Sequence, residues 1–494
     1  VIETRWNKEG LYRLVREKLA DKLFIVVSNR EPYVHTMAGG KINWDHAVSG
    51  LTEALDPVLR ASGGTWIAQG TGDADRMVVD EHDRVRVPPD RPEYTLRRVW
   101  LTEEEVEGYY LNFANKGLWP LCHTTYISPE FSEADWLVYQ EVNRIFADAI
   151  LQEIGSREAL VLVQDYHFAL LSRILKEQNP GLKVGQFWHI PWPSFEVLRT
   201  CPWYEEILNG LLGNDLLGFH ISDYCRNFME SAEKCLGTET NRKRGMIIQD
   251  SHTTFVEPFP ISVDFDAISE RAGTEEVARE MEKLRRELNL EGKYVGIGMD
   301  RLDYTKGIPE RLRALDRFLE DNPRHREKVV YIQAGIPSRT QIGAYEELGR
   351  KINELVDGIN EKYATALWKP VIPMMHRLTT LTLDALRRLA HFCVVSSLHD
   401  GMNLVAKEYV SARVDGDGVL VLSGFAGAAG ELPEALLIDP YDIEEFAGTI
   451  KKAVEMPEAE RRRRMGKMRE TVAENNIYRW GASMISRLVE IAEG

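Results

Sequence analysis

Cysteine is scarce and forms no pattern. The five cysteines (Cys122, Cys201, Cys225, Cys235 and Cys393) are odd in number, widely spread and without a CxxC pair. That argues against a disulfide framework and a structural zinc site, and favours a reducing compartment. Long apolar runs are missing as well. No stretch approaches the roughly 18 apolar residues of a membrane span. The first residues, VIETRWNKEGLYRLVREKLADK, mix charges and lack the apolar core of a signal peptide. These features predict a cytoplasmic location and no membrane contact. Positive charge is in deficit: 61 Lys and Arg against 77 Asp and Glu give a net charge of −16. A global basic field for nucleic acid is therefore absent. The one basic block, Arg461 to Arg464 in EAERRRRMGKMRE, reads as a solvated helix face. If such an acidic chain binds phosphates, it must use a few aimed groups: isolated arginines, lysines and helix N-termini.

What is present is a long alternation of strand and helix. At about 100–200 residues per domain, 494 residues imply two large domains or three small ones. Unbroken apolar runs mark strands buried on both faces: 23–30, 159–166, 183–190, 216–222, 293–300, 328–335, 392–398 and 418–425. Helical patterns lie between them, for example over 135–154 and 274–288. This predicts an α/β chain with doubly wound parallel sheets. FVEPFPISVDFDAIS (255–269) is a seam after which the alternation starts afresh. It divides the chain into Rossmann-like domains at 1–262 and 263–475. The last helix, within 476–494, could pack on either. In open parallel sheets ligands bind at the carboxyl ends of strands. Two sheets facing a cleft would put the chemistry in the loops there.

Those loops hold the unusual residues. In SSLHDGMNLVAKEYVSAR (396–413) a strand ends at Leu398, a tight turn follows, and a helix begins near Asn403. The backbone amides of Met402, Asn403, Leu404 and Val405 then form an anion site suited to a diphosphate. Asp400 can accept from sugar hydroxyls, and Glu408 can hold a ribose diol. The plain alternative makes Asp400 a helix cap and Glu408 a surface charge. In GMDRLDYTKGIPERLRAL (297–314), Arg301 and Lys306 leave a strand end together and can neutralise a leaving diphosphate. Their plain alternative is surface charge paired with Asp303. In the first half Arg30 ends a strand, and Gly50 opens a helix where backbone can approach closely. Asp165 and His189 follow successive strands. Tyr110 and Trp119, in a helix and its exit, suit sugar stacking, although aromatic core is their commoner fate. Asp415-Gly-Asp417 looks like a metal-binding pair but sits in a glycine-rich turn. GFAGAAGEL (424–432) lacks a P-loop lysine.

In this order, SNR, EGYYLNFANKGLWP, QDYH, HIPWP, DRLDYTKGIPER, PSR, HDGMNLVAKEYV and VLVLSGFAGAAGEL resemble the trehalose-6-phosphate synthase family, from about residue 23 to the C-terminus. DGMNLVAKE is the specific word. The resemblance implies a GT-B fold and a retaining, metal-independent transferase without cofactor. Its substrates would be a nucleotide-glucose (UDP-, ADP- or GDP-) and glucose 6-phosphate, its product trehalose 6-phosphate. It implies that Arg301 and Lys306 bind the donor diphosphate, and that Asp400 and the amides from Gly401 to Leu404 hold the donor sugar region. Glu408 would bind the ribose, His189 the donor sugar, and Gly50 would lie in a loop closing over the donor. Asp165 would meet sugar hydroxyls near the reacting centre. Arg30, Tyr110, Trp119 and Arg339 would hold the acceptor. The final helix would cross back to the first domain, and a homo-oligomer is in keeping with the family. The chain departs from the family at Ser49, Gln69, Gln164 and His399, and in a lengthened loop, HTMAGGKINWDHA (35–47). A sister enzyme using glycerol 3-phosphate and a silent sugar-phosphate sensor remain as alternatives.

Overall fold

The computed structural model describes residues 5–19, 22–46, 50–336 and 342–493. Two compact units emerge: Val1–Ile261 together with Ile477–Gly494, and Ser262–Asn476.

The first unit is built on ten strands: β1 (Leu23–Arg30), β4 (Thr65–Gln69), β5 (Arg84–Val87), β6 (Tyr94–Val99), β7 (Ala159–Gln164), β8 (Lys183–Phe187), β9 (Leu216–Phe219), β10 (Glu239–Asn241), β11 (Met246–Gln249) and β12 (His252–Pro258). Their order is β10-β11-β12-β9-β8-β7-β1-β4-β6-β5. The run from β12 to β6 is parallel, and antiparallel strands close both edges. Winding runs from β1 outward through β4 and β6, then restarts at β7 on the other side of β1. The switch point therefore lies between β1 and β7. Continuous Val, Ile and Leu in β1 and β7 bury both faces, as a sheet covered by helices on each side requires. The helix Ile477–Glu493 belongs to this unit. It packs on the helices Lys8–Leu19 and Gly50–Ser62, and its Trp480 meets Phe187 edge to face at 5.2 Å.

The lengthened segment after β1 is ordered as a hairpin rather than a loop. β2 (Tyr33–Ala38) pairs antiparallel with β3 (Lys41–His46). Gly39 and Gly40, both at positive φ, supply the two-residue turn whose twist suits a hairpin. A buried ionic cluster fixes its base. Arg98 bonds Glu31 at 2.7 Å, Asp75 at 2.7 Å and the His35 ring at 2.8 Å.

The second unit holds β13 (Tyr294–Arg301), β14 (Val329–Ile336), β15 (Val371–Met374), β16 (Phe392–Val395), β17 (Val419–Ser423) and β18 (Leu436–Ile438). All pairings are parallel, in the order β15-β14-β13-β16-β17-β18. Its switch point lies between β13 and β16. The arginine run sits on the helix Glu458–Glu474, where each member has a partner. Arg461 grips Asp417 with two bonds of 2.7 and 2.9 Å, and Arg464 donates to the Glu434 carbonyl at 2.9 Å. The block is a set of structural ties, which the expectation of a purely solvated face did not include. Among the described residues no helix is long and apolar enough to cross a membrane.

Candidate active site

Each unit gathers its unusual residues at its own switch point, where crevices open at the carboxyl ends of parallel strands. In the second unit the exits of β13 and β16 are tied together by main-chain atoms. Asp303 caps the turn Tyr304–Lys306, accepting from Thr305 N–H at 3.0 Å and Thr305 Oγ1–H at 2.9 Å. Gly307, at φ +60°, follows. A Cβ there would lie 2.1 Å from the Ser396 carbonyl oxygen, so only glycine lets the two strand exits come this close. The β16 strand ends at Val395, earlier than the apolar run to Leu398 implies. Leu398 N–H leaves the ladder and donates to Thr305 O at 2.7 Å.

Asp400 hangs from this loop. Its Oδ2 accepts from Lys306 Nζ at 2.5 Å and from Ser397 Oγ and Asn403 Nδ2, each at 3.2 Å. Lys306 thus pairs with Asp400 rather than with Asp303. The helix cap is Asn403, not Asp400. Asn403 stands at φ +70°, a conformation asparagine tolerates, and its side chain takes the Ala406 N–H at 3.4 Å. The helix Leu404–Ala412 leaves the amides of Leu404 and Val405 without an acceptor inside the helix. The glycine-rich stretch after β17 supports the loop from below. Gly427 N–H donates to Asp400 O at 3.2 Å and Ala428 N–H to Met402 O at 2.9 Å. Glu408, one turn into the helix, pairs with buried Arg387. Arg301 is the last residue of β13 and half-buried.

In the first unit a bulge in β1 aims Arg30. The β1–β4 register slips by one residue between Val27 and Arg30. Ser28 Oγ sits in the slip, donating to Arg30 O at 2.8 Å and accepting from Trp66 Nε1 at 2.7 Å. Bulges turn a side chain out of its alternation, and Arg30 emerges exposed from an otherwise buried strand. Its guanidinium donates to Tyr110 Oη at 2.8 Å. Tyr110 lies in Val106–Leu118, a helix wound with i→i+5 bonds, a rare winding often found at functional sites. The Tyr110 ring stacks on His167 at 5.7 Å, and Trp119 meets Tyr166 at 5.9 Å. Tyr110 and Trp119 therefore flank the segment that follows Asp165. Asn115, buried, ties Tyr110 to that segment: its Nδ2 donates to Tyr110 O at 2.7 Å, and its Oδ1 accepts from Tyr166 Oη at 3.0 Å.

Asp165 occupies φ +73°, ψ 178°, a strained region for a residue with a side chain. The strain is held by Asp165 N–H to Phe187 O at 2.7 Å and by Oδ1, which accepts from Tyr166 N–H at 3.0 Å and His189 N–H at 3.1 Å. It is a cap and at the same time a bridge from β7 to the exit of β8. His189 Nε2 lies 2.7 Å from Gln164 Oε1. Burial, with His220 and His167 nearby, holds the imidazole well below the ordinary histidine range, so it is neutral. Gly50 begins the helix Gly50–Ser62; Arg339 lies outside the described residues. Asn115, Ser397 and Arg387 were not singled out in the sequence. Asn115 left a faint signal, an amide in the middle of an apolar helical stretch.

The sequence profile of Glycosyltransferase family 20 matches residues 22–490. The chain belongs to glycosyltransferase family 20. The trehalose-6-phosphate synthase of Mycobacterium avium (strain 104) is 38% identical over 477 residues, 94% of this chain and 95% of that protein. A UDP-forming alpha,alpha-trehalose-phosphate synthase from Burkholderia xenovorans, solved in complex with glucose-6-phosphate, superposes with a TM-score of 0.84 at 30% identity. The alignment covers 94% of this chain and 99% of that one. The E. coli enzyme bound with UDP-2-fluoro glucose also gives 0.84, at 29% identity over 95% and 99% of the chains. This family 20 member is a glycosyltransferase of the trehalose-phosphate synthase type with the GT-B fold.

Proposed function

We propose that the enzyme transfers glucose from UDP-glucose to glucose 6-phosphate with retention, giving trehalose 6-phosphate and UDP. The donor choice follows the UDP-forming relative and the UDP-sugar complex, and the acceptor choice the glucose-6-phosphate complex. The observation that carries the reading is the pairing of Lys306 with Asp400 at the β13–β16 switch point: a cation for the leaving group beside an acceptor for sugar hydroxyls.

In this reading Arg301, Lys306 and the amides from Gly401 to Val405 bind the diphosphate, and Asp400 holds the glucose hydroxyls. Glu408 holds the ribose, and Gly50 belongs to the donor loop. Arg30, Tyr110, Trp119 and Arg339 hold the acceptor. Asp165 and neutral His189 orient the sugars at the reacting centre. The C1–O bond to the diphosphate breaks, and the bond to the acceptor oxygen forms on the same face. The acceptor's proton passes to the departing phosphate oxygen. The protein contributes position and fixed positive charge, which suffice for large accelerations when aimed at developing charge. The reaction is proposed to run in the cytoplasm, in keeping with five scattered cysteines that form no disulfide pattern.

A product assay tests this. Purified enzyme is given UDP-, ADP- or GDP-glucose with glucose 6-phosphate or glycerol 3-phosphate, and nucleotide release and product mass are followed. A disaccharide phosphate from UDP-glucose and glucose 6-phosphate is expected. Product only from glycerol 3-phosphate, or no turnover with any pair, would overturn the proposal.

A further inference from the structure

Glu408 is the end of a chain of alternating charges. Arg387 Nη2 bonds Glu408 Oε2, Arg387 Nη1 bonds Asp384 Oδ1 at 2.8 Å, and Arg271 Nε bonds Asp384 Oδ2 at 2.7 Å. Three helices contribute: Phe265–Ala272, Thr380–Leu389 and Leu404–Ala412. The side chains of Asp384 and Arg387 are 0% and 8% exposed, that of Glu408 19%. A buried ion pair of this kind is a poor device for stability, because removing two charges from water offsets their attraction. It is a good device for fixing direction, since a charge-assisted bond to one carboxylate oxygen restricts where the other points.

We propose that Arg387 is a positioning residue of the donor site: it engages Glu408 Oε2 from inside the fold and so presents Oε1 to the vicinal hydroxyls of the donor ribose. Asp384 and Arg271 hold Arg387 in turn. This deepens the donor reading above and rests on its assignment of Glu408.

The test compares UDP with 2′,3′-dideoxy-UDP, which lacks the diol, by titration calorimetry on the full-length enzyme. Wild type is expected to prefer UDP by about tenfold, the worth of a hydrogen bond to a charged group. Arg387→Met should bind the dideoxy compound as wild type does and lose the preference for UDP. Arg387→Lys should restore part of it. In steady-state kinetics Arg387→Met should raise the KM for UDP-glucose and leave the KM for glucose 6-phosphate unchanged. An Arg387→Met enzyme that keeps the preference would overturn the proposal. So would one that binds UDP more tightly, which would mean that Arg387 competes with ribose. Equal weakening of both ligands with a lowered Tm would reduce Arg387 to a structural role and also overturn it. If wild type itself shows no preference, the assignment of Glu408 to ribose fails first.

Discussion

Lys306 Nζ and Asp400 Oδ2 lie 2.5 Å apart, although the residues are 94 positions apart and leave different strands. The pair exists because β13 and β16 are neighbours at a switch point and because Gly307 lets their exits touch. Replacing Asp400 by Ala, or Arg301 by Ala, should lower kcat by about a hundredfold or more, as removal of aimed electrostatic groups does. Nucleotide release measures the loss, and an unchanged far-UV spectrum shows that folding is intact. Near-normal turnover in either variant would refute the site. The double variant Lys306→Met/Asp400→Asn should lose less than the sum of the single losses, since the residues act as one unit.

Arg30 reaches Tyr110 from the β1 bulge. Arg30→Met should raise KM for glucose 6-phosphate by about tenfold or more, with KM for the donor little changed. Steady-state kinetics with each substrate varied in turn separate the two. A rise confined to the donor would move Arg30 out of the acceptor site.

EDTA should leave turnover unchanged. Asp417 is already gripped by Arg461, and Asp415 is bonded by Arg413 at 2.9 Å. Strong inhibition, reversed by a divalent cation, would give the Asp415–Asp417 turn a role in catalysis.

The Glu31 carboxyl is pushed up to about 8, chiefly by burial and by its hydrogen bond with Asp75, against the pull of Arg98. A folded-state value above the unfolded one means that the folded protein holds the extra proton. That contribution to stability is complete below about 4.5 and is lost as pH rises towards 8. Glu31→Gln keeps a neutral hydrogen-bonding group there. The Tm of the variant minus that of wild type should therefore grow between pH 5 and pH 8. A difference independent of pH would show that Glu31 is ionised throughout.

The parallel strands β1, β7, β8, β9, β13, β14, β16 and β17 were legible because strands buried on both faces must be continuously apolar. The hairpin β2–β3 was hidden because its exposed face alternates weakly, and Gly39-Gly40 reads as loop without its partner strands in view. The words around Arg301, Lys306 and Asp400 stood out as candidates, since cations and a carboxylate after buried strands are unusual. Which of them pair was not, because Lys306 had nearby Asp303 as an equally charged choice. Pairing depends on strand order, and strand order is not written in any local pattern. Arg387 was invisible for the same reason, and Asn115 nearly so: each acts through residues that only the fold makes neighbours.

Gly427 bears on how this loop can change over time. A Cβ there would stand 2.1 Å from the Gly401 carbonyl oxygen, much as at Gly307 against Ser396. The loop around Asp400 is thus gripped from two sides by bare backbone. These approaches set the main-chain path of the loop, so a side chain such as that of His399 can vary while the backbone at Asp400 stays in place. The rigidity is paid for at two glycines, where even a methyl group would be felt throughout the loop.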